Sequence, residues 1–384
     1  EGEGDQPSRF LAELGVEVVT VRGRPDRPLT LPRLVGELRR AASDATLHPA
    51  ARLAAADRLA RLADSRDDAG RPLVPAADPA AWWGLDDVST GRRPVDPIVH
   101  LSGSQVGSLL SCPRQWFLSR RAGADARRTS SAGFGTVVHT LAEHAMLEAK
   151  SPDELADQLD RVWHQIPFEA PWLSDTERAE AQTALERLSE WNASVAHREV
   201  VGVEVPFSVT VRVAGSHLQL TGKVDRLDRD TDGRLHIVDF KTGRSVPTRD
   251  AVAAHDQLGV YQVAATLGAF DEQAGPGAGV AGAEVVFLRH PEGVGSPGPK
   301  VLRQGSISDR PYLDHEPDLA MLDEADRREI GSQHDYQTWV HHRLATAARV
   351  VERDRFVATR GAGCTWCPFS TSCPAQPQGR QVVR

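Results

Sequence analysis

Lysine is nearly absent from this chain. Of 45 basic residues in 384, all but Lys150, Lys223, Lys241 and Lys300 are arginine. Where arginine supplies almost every positive charge, each lysine has a local reason to be a compact ammonium. Cysteine is also sparse: four residues are too few for a disulfide-dense fold, which leaves metal binding or buried free thiols. No run approaches the roughly 18 apolar residues of a spanning helix. The opening EGEGDQPSRF lacks the basic and apolar stretches of a secretory signal, so a cytoplasmic protein without membrane partners is expected. No Gly-x4-Gly-Lys-Ser/Thr loop occurs, and no ATP site of that kind is expected. The formal net charge of −8 argues at first against a nucleic-acid partner, because phosphate binding needs positive surface.

What is present fits a globular chain of two to three domains, at roughly 150 residues per domain. Hydrophobic residues make up 40 % and charged residues 26 %, near globular averages. Residues 29–65 carry Ala, Leu and Arg at helical spacing and predict two amphipathic helices broken near His48-Pro49. Residues 66–98 read as an extended linker packed down by Trp82 and Trp83, and the domain boundary falls near Asp96-Pro97. The expected domains are therefore 1–97, a helical segment and linker, and 98–384.

In the second domain Ser102 is placed to cap a helix running to about 123, a second helix covers 134–148, and one or two more fill 152–197. Three β-like runs follow at 200–213, 218–229 and 235–240, joined by the hairpin signals Ala214-Gly215-Ser216 and Thr231-Asp232-Gly233. A helix over 249–267, a strand over 283–289 between Gly/Pro-rich loops, an irregular acidic stretch at 309–328 and a helix over 336–355 complete the pattern.

The most informative stretch is TGKVDRLDRDTDGRLHIVDFKTG, residues 221–243. Asp225 is expected at the end of one strand, and Asp239 with Lys241 at the end of its hairpin partner. Residues i and i+2 of a strand share a face, so Ile237, Asp239 and Lys241 point one way and Phe240 the other. An apolar strand that ends in a half-buried charge pair is costly without a further ligand. A divalent cation between Asp225 and Asp239 relieves that cost, and oxygen donors suit Mg²⁺ or Mn²⁺. Lys241 is then placed to orient a water or to offset charge on a phosphate.

Asp225, fourteen residues before Asp239-Phe240-Lys241-Thr242-Gly243, resembles the catalytic core of PD-(D/E)XK nucleases of the RecB exonuclease branch. Gly135-Thr136-Val137-Val138-His139 is similar to that branch's upstream helical motif, and Gln257-Leu258-Gly259-Val260-Tyr261 to its downstream one. The resemblance implies an α/β fold: a restriction-endonuclease-like core with a central mixed sheet flanked by helices, a preceding helical segment and a C-terminal iron–sulfur staple. It also implies roles. His139, Asp225, Asp239 and the Phe240 carbonyl would hold metal, and Glu204 would serve a second metal. Lys241 would assist the water, and Gln257 and Tyr261 would position the phosphate or the lysine. The reaction implied is metal-assisted hydrolysis of DNA phosphodiesters; a catalytically silent relative that binds DNA or scaffolds a partner is the alternative.

All four cysteines form one set. Cys364, Cys367 and Cys373 lie in GCTWCPFSTSCP, with Cys112 lying 251 intervening residues upstream. Tetrathiolate sites hold Zn²⁺ or an iron–sulfur cluster, and spacing does not separate them. One cysteine before the core and three after it resembles the 4Fe–4S staple of AddB-type nucleases. Around Cys112, Arg114, Arg120, Arg121, Arg127 and Arg128 face only Asp125, and with Trp116 and Phe117 they make a candidate single-stranded DNA surface or a solvated arginine face. Residues 6–11 are similar to the stretch after the last motif of UvrD-like helicase cores. The Ala/Arg-rich helices are placed as in actinobacterial AdnA/AdnB-type subunits, which implies a helicase–nuclease partner subunit and unwound DNA. A bound divalent metal inverts the local charge of the site, so −8 does not exclude cutting DNA delivered by a partner.

Overall fold

The computed structural model describes residues 30–68, 70–82, 98–124, 130–148, 152–164, 166, 168, 170–316 and 319–377. Residues 6–11, Trp83, Asp125, Arg127 and Arg128 lie outside the described residues. The chain divides into two compact units, Glu1–Val95 and Asp96–Arg384.

In the first unit, α1 (Leu31–Ser43) and α2 (Pro49–Asp64) pair as a helical hairpin. Pro49 occupies the first helical turn, where a missing N–H costs nothing, and the His48 ring accepts from Ala50 N. Val35, Leu38, Ala55, Leu59, Val74 and Ala77 form a small core of their own. Arg39 lies over the Trp82 ring at 4.2 Å.

The second unit runs β1 (Ile98–Ser102), α3 (Gly103–Ser111), α4 (Pro113–Arg120), α5 (Ser130–Glu148), α6 (Pro152–Trp163), α7 (Pro171–Ser194), β2 (Glu199–Val213), β3 (Ser216–Arg229) and β4 (Leu235–Lys241). It continues with α8 (Arg249–Ala253), α9 (Asp256–Thr266), β5 (Val280–Pro291), β6 (Pro299–Gly305), α10 (Glu324–Ile330) and α11 (Trp339–Glu352). The six strands form one mixed sheet. β2 pairs antiparallel along the length of β3. The other edge of β3 is divided, with β1 running parallel to it over His217–Thr221 and β4 antiparallel over Arg226–Arg229. Residues 222–225 pair with neither, which leaves a fork in the sheet. β4 then continues parallel to β5, and β5 antiparallel to β6.

Each face of the sheet carries its own core. Leu220, Val224, Ile237 and Val285 meet α3, α9 and α11 on one side, while Val238, Phe240, Val286 and Leu288 meet α5, α6 and α7 on the other. This is the α/β sandwich with a central mixed sheet that the residue pattern predicts. The strand β4 reads as expected, with Ile237 on one face and Phe240, 1 % exposed, on the other.

Four local expectations are corrected. Asp225 is not at the end of its strand, because β3 continues past it to Arg229 between β2 and β4. β1 and β6 are strands that the residue pattern does not predict: each is short and bounded by proline or glycine, so its own residues carry little periodicity. The helix predicted through Cys112 breaks there, at φ −158° and ψ 100°, since the ring of Pro113 disfavours helical geometry in the residue before it. The helix predicted over 249–267 breaks at Ala254–His255. The buried Gln304 side chain donates there to the carbonyls of Val252, Ala253 and His255.

Candidate active site and cysteine cavity

Pairing of β3 with β4 stops at Arg226 and Val238, so the next residues in register, Asp225 and Asp239, stand at the opening of the fork. Asp225 Oδ2 accepts the Phe240 N–H at 2.7 Å, replacing the ladder bond that the parted strands no longer make. The N–H and C=O of one residue in an extended strand point to the same edge, so the Phe240 carbonyl also faces the fork.

Asp239 is 2 % exposed. Its Oδ1 accepts from Gln257 Nε2 at 2.9 Å, whereas Oδ2 is buried without a hydrogen-bond partner. Lys241 Nζ stands 2.9 Å from that oxygen outside hydrogen-bonding geometry, and donates to Gln257 Oε1 at 3.3 Å. Gln257 Nε2 also donates to the Tyr261 hydroxyl at 2.6 Å, which donates onward to the Lys223 carbonyl at 3.2 Å. Gln257 and Tyr261 lie one turn apart on α9, so one helical face carries the whole relay. Burial holds Tyr261 above its ordinary pKa and therefore protonated.

From the opposite layer, α5 brings His139 Nδ1 to 3.8 Å from Asp225 Oδ2. His139, Glu204 and Asp225 offer ligand atoms that all lie within 4.8 Å of one another, while Asp239 is outside that trio and is joined to it through the Phe240 N–H. Burial, and then the nearby Asp239 charge, push the Asp225 carboxyl up to about 7. Burial lowers the His139 pKa, with Asp239 opposing. The sequence-predicted residues His139, Glu204, Asp225, Asp239, Phe240, Lys241, Gln257 and Tyr261 are thus all brought to one place. The orphaned Asp239 oxygen and the proton-holding Asp225 fit a divalent cation with oxygen ligands.

Sequence reasoning misses Lys223 as a member of this site. Its ammonium pairs with Glu204 Oε2. Glu204 itself has φ 52°, a left-handed conformation costing a non-glycine residue about 1–3 kcal/mol and characteristic of functional positions. The rarity of lysine is the one signal in the sequence that marks Lys223.

A family model of the PD-(D/E)XK nuclease superfamily matches residues 100–374. The chain belongs to that superfamily. Over 166 residues it is 25 % identical to a subunit of the ATP-dependent helicase/deoxyribonuclease of Streptococcus mutans serotype c, a match covering 41 % of this chain and 15 % of that protein. This chain therefore spans a small part of the relative, and the likeness supports a nuclease domain of RecB/AddB type. The solved structure of SSO0001 aligns with a TM-score of 0.30 and 14 % identity, covering 75 % of this chain and 90 % of that one. Among the described residues no helix is long and apolar enough to cross a membrane.

The four cysteines of this nuclease domain line one cavity of about 270 Å³ at the junction of α3 and α4 with the C-terminal tail. The junction is tied by Arg114 N to Val357 O (3.1 Å), Thr359 Oγ1 to Ser111 O (2.9 Å) and Arg114 Nη2 to Ser372 O (3.0 Å). Among the described residues no three of the thiols lie within 4.8 Å of one another. Trp116 is 3 % exposed and offers no face for base stacking, contrary to the sequence-based expectation, and Phe117, half-buried, stacks on Phe356 at 4.8 Å. Arg120 is exposed, and Arg121 lies over the Trp116 ring at 5.7 Å.

Proposed function

We propose that this nuclease domain is a Mg²⁺- or Mn²⁺-dependent DNA exonuclease, acting on single strands delivered by a helicase partner in a complex that resects double-strand breaks for recombinational repair. The observation that carries the reading is the fork constellation, where buried Asp239 with one unbonded oxygen faces Lys241 and Gln257, beside Asp225. Asp225, Asp239, the Phe240 carbonyl and His139 would hold the cation, with Glu204 beside them. The cation supplies charge neutralisation and a lowered water pKa when bound. The chain's own part is positional. Gln257 holds the Asp239 carboxylate and the Lys241 ammonium with the two ends of one amide, and Lys241, half-exposed, presents its charge to the phosphate and its water. Hydrolysis joins the water oxygen to phosphorus and breaks one phosphorus–ester oxygen bond; the proton the water loses is replaced on the leaving oxygen through solvent.

The cysteine cavity is read as the seat of a structural 4Fe–4S cluster. Residues 1–97 are read as resembling the end of a UvrD-like helicase of AdnA/AdnB type, and the protein as cytoplasmic. The exposed Arg120 and Arg121, with Arg114, Arg127 and Arg128, are read as backbone contacts for DNA. The deciding experiment is digestion of single-stranded DNA with Mg²⁺ or Mn²⁺ by the wild-type chain, Asp239→Asn and Lys241→Ala. Cutting by wild type and its loss in both variants supports the reading; equal cutting by all three overturns it.

A further inference from the structure

Two of the chain's four lysines stand at the fork, and only Lys241 has a place in the reading above. Lys223 lies two residues before Asp225 on β3, so both side chains share a face. On β2, Glu204 is opposite Asp225 in register, between the pairs Val203–Arg226 and Val205–Val224. Its left-handed backbone and its place in the 4.8 Å trio with His139 and Asp225 set its carboxylate beside the proposed metal ligands.

The two lysines are held differently. Lys241 is bound to Gln257 and faces the buried Asp239, whereas the Lys223 side chain is 56 % exposed and its ammonium meets Glu204, 14 % exposed. The left-handed backbone of Glu204 sets its carboxylate at this spot, and the cation that it meets there is the Lys223 ammonium.

We propose that Lys223 is a built-in counter-cation that occupies the place of a second divalent ion at Glu204, so that this nuclease binds a single metal. The inference rests on the metal-dependent reading of Asp225 and Asp239. The exposure of Lys223 lets the same ammonium reach an incoming phosphate.

The test counts Mn²⁺ bound per folded chain, by calorimetry and by the electron paramagnetic resonance signal of the free ion, without substrate. Wild type should take up a single Mn²⁺ and Asp239→Asn should lose it. Lys223→Met and Lys223→Gln should each gain a second Mn²⁺, and Glu204→Gln added to either should remove that gain. A single Mn²⁺ in wild type with no gain in both Lys223 variants overturns the inference while leaving the parent reading intact. Two Mn²⁺ in wild type overturns it as well. A wild type that takes up none, or an Asp239→Asn chain that keeps its ion, overturns the parent reading and the inference with it.

Discussion

The carboxylate of Asp225 accepts the backbone N–H of Phe240 at 2.7 Å, one residue beyond the last pair of β3 with β4. A side chain thereby completes the ladder where two strands part, and the same carboxylate is held at the mouth of the site. Structure and chemistry separate by substitution. Asp225→Asn keeps an acceptor for Phe240 and should leave unfolding by denaturant almost unchanged, while Mg²⁺-dependent cutting falls by about a hundredfold or more, as when one charge-stabilising group leaves an active site. Asp225→Ala should lose the activity and, in addition, about 1–3 kcal/mol of stability for the unbonded N–H.

The pH dependence follows from the same residue. Asp225 is raised by burial and by Asp239 from 3.8 to about 7, so the metal-free fold holds a proton that the unfolded chain releases. The metal-free protein should therefore lose stability from this group as pH rises from about 4 to about 7, the range in which the native state binds the extra proton. Mg²⁺ displaces that proton, so its affinity should fall as pH drops below about 7, and calorimetry in buffers of different ionisation enthalpy should detect proton release on binding. Proton-free binding at pH 6.5 would remove Asp225 from the ligand set.

Glu204 supplies a trade-off. Glycine adopts φ 52° without the cost a side chain incurs, so Glu204→Gly should raise stability in thermal unfolding by about 0.5–1 kcal/mol. It should at the same time lower cutting, because a carboxylate beside Asp225 is gone. A variant that is both less stable and fully active would show the strain to be incidental.

Gln257 and Tyr261 should behave differently although they touch. Gln257→Leu frees Asp239 Oδ1 and Lys241 together, so its rate of cutting should drop at least about tenfold with the fold intact. Tyr261→Phe removes only the hydroxyl shared between Gln257 and the Lys223 carbonyl, and its main effect should be about 1 kcal/mol of stability. Comparing single-turnover rates with denaturation midpoints distinguishes the two.

The cysteine cavity predicts a coloured protein. Anaerobically purified wild type should show broad visible absorption with iron and sulfide, and Cys373→Ala or Cys112→Ala should lose both. The tail from Val357 onward should then be cut by protease sooner, since metal and fold are coupled where the ligands come from distant segments. Stoichiometric zinc in a colourless sample would replace the cluster by a single ion.

The strand period alone puts Asp239 and Lys241 on one face, whereas His139, Glu204, Gln257 and Tyr261 were implied by the resemblance of their motifs to a nuclease family. Asp239 and Lys241 are two apart on β4, and Gln257 and Tyr261 four apart on α9, and both spacings hold in three dimensions. The cysteines, separated by most of the chain, were read as one set from the C-x2-C-x5-C run and the resemblance of one cysteine before the core and three after it, and all four line the same cavity. What was not legible depends on partners far away in sequence. That β3 runs on past Asp225 is decided by its pairing with β2 and β4, its divided edge by β1, a short strand more than a hundred residues earlier, and the break before α9 is matched by Gln304 on β6. Trp116 and Phe117 looked like a stacking platform, yet Phe356 covers them from the end of the chain. Lys223 was marked by rarity, and only register set it against Glu204.

The divided edge of β3 makes the sheet a wall with a window. His139 comes to the opening from the layer packed on Phe240, and Gln257 from the layer packed on Ile237. Two hydrophobic cores that share no residue are thus each responsible for half of one reaction centre. A loosening of either layer misaligns the groups facing each other through the window while the rest of the molecule stays folded, and heat inactivation should precede loss of the sheet itself.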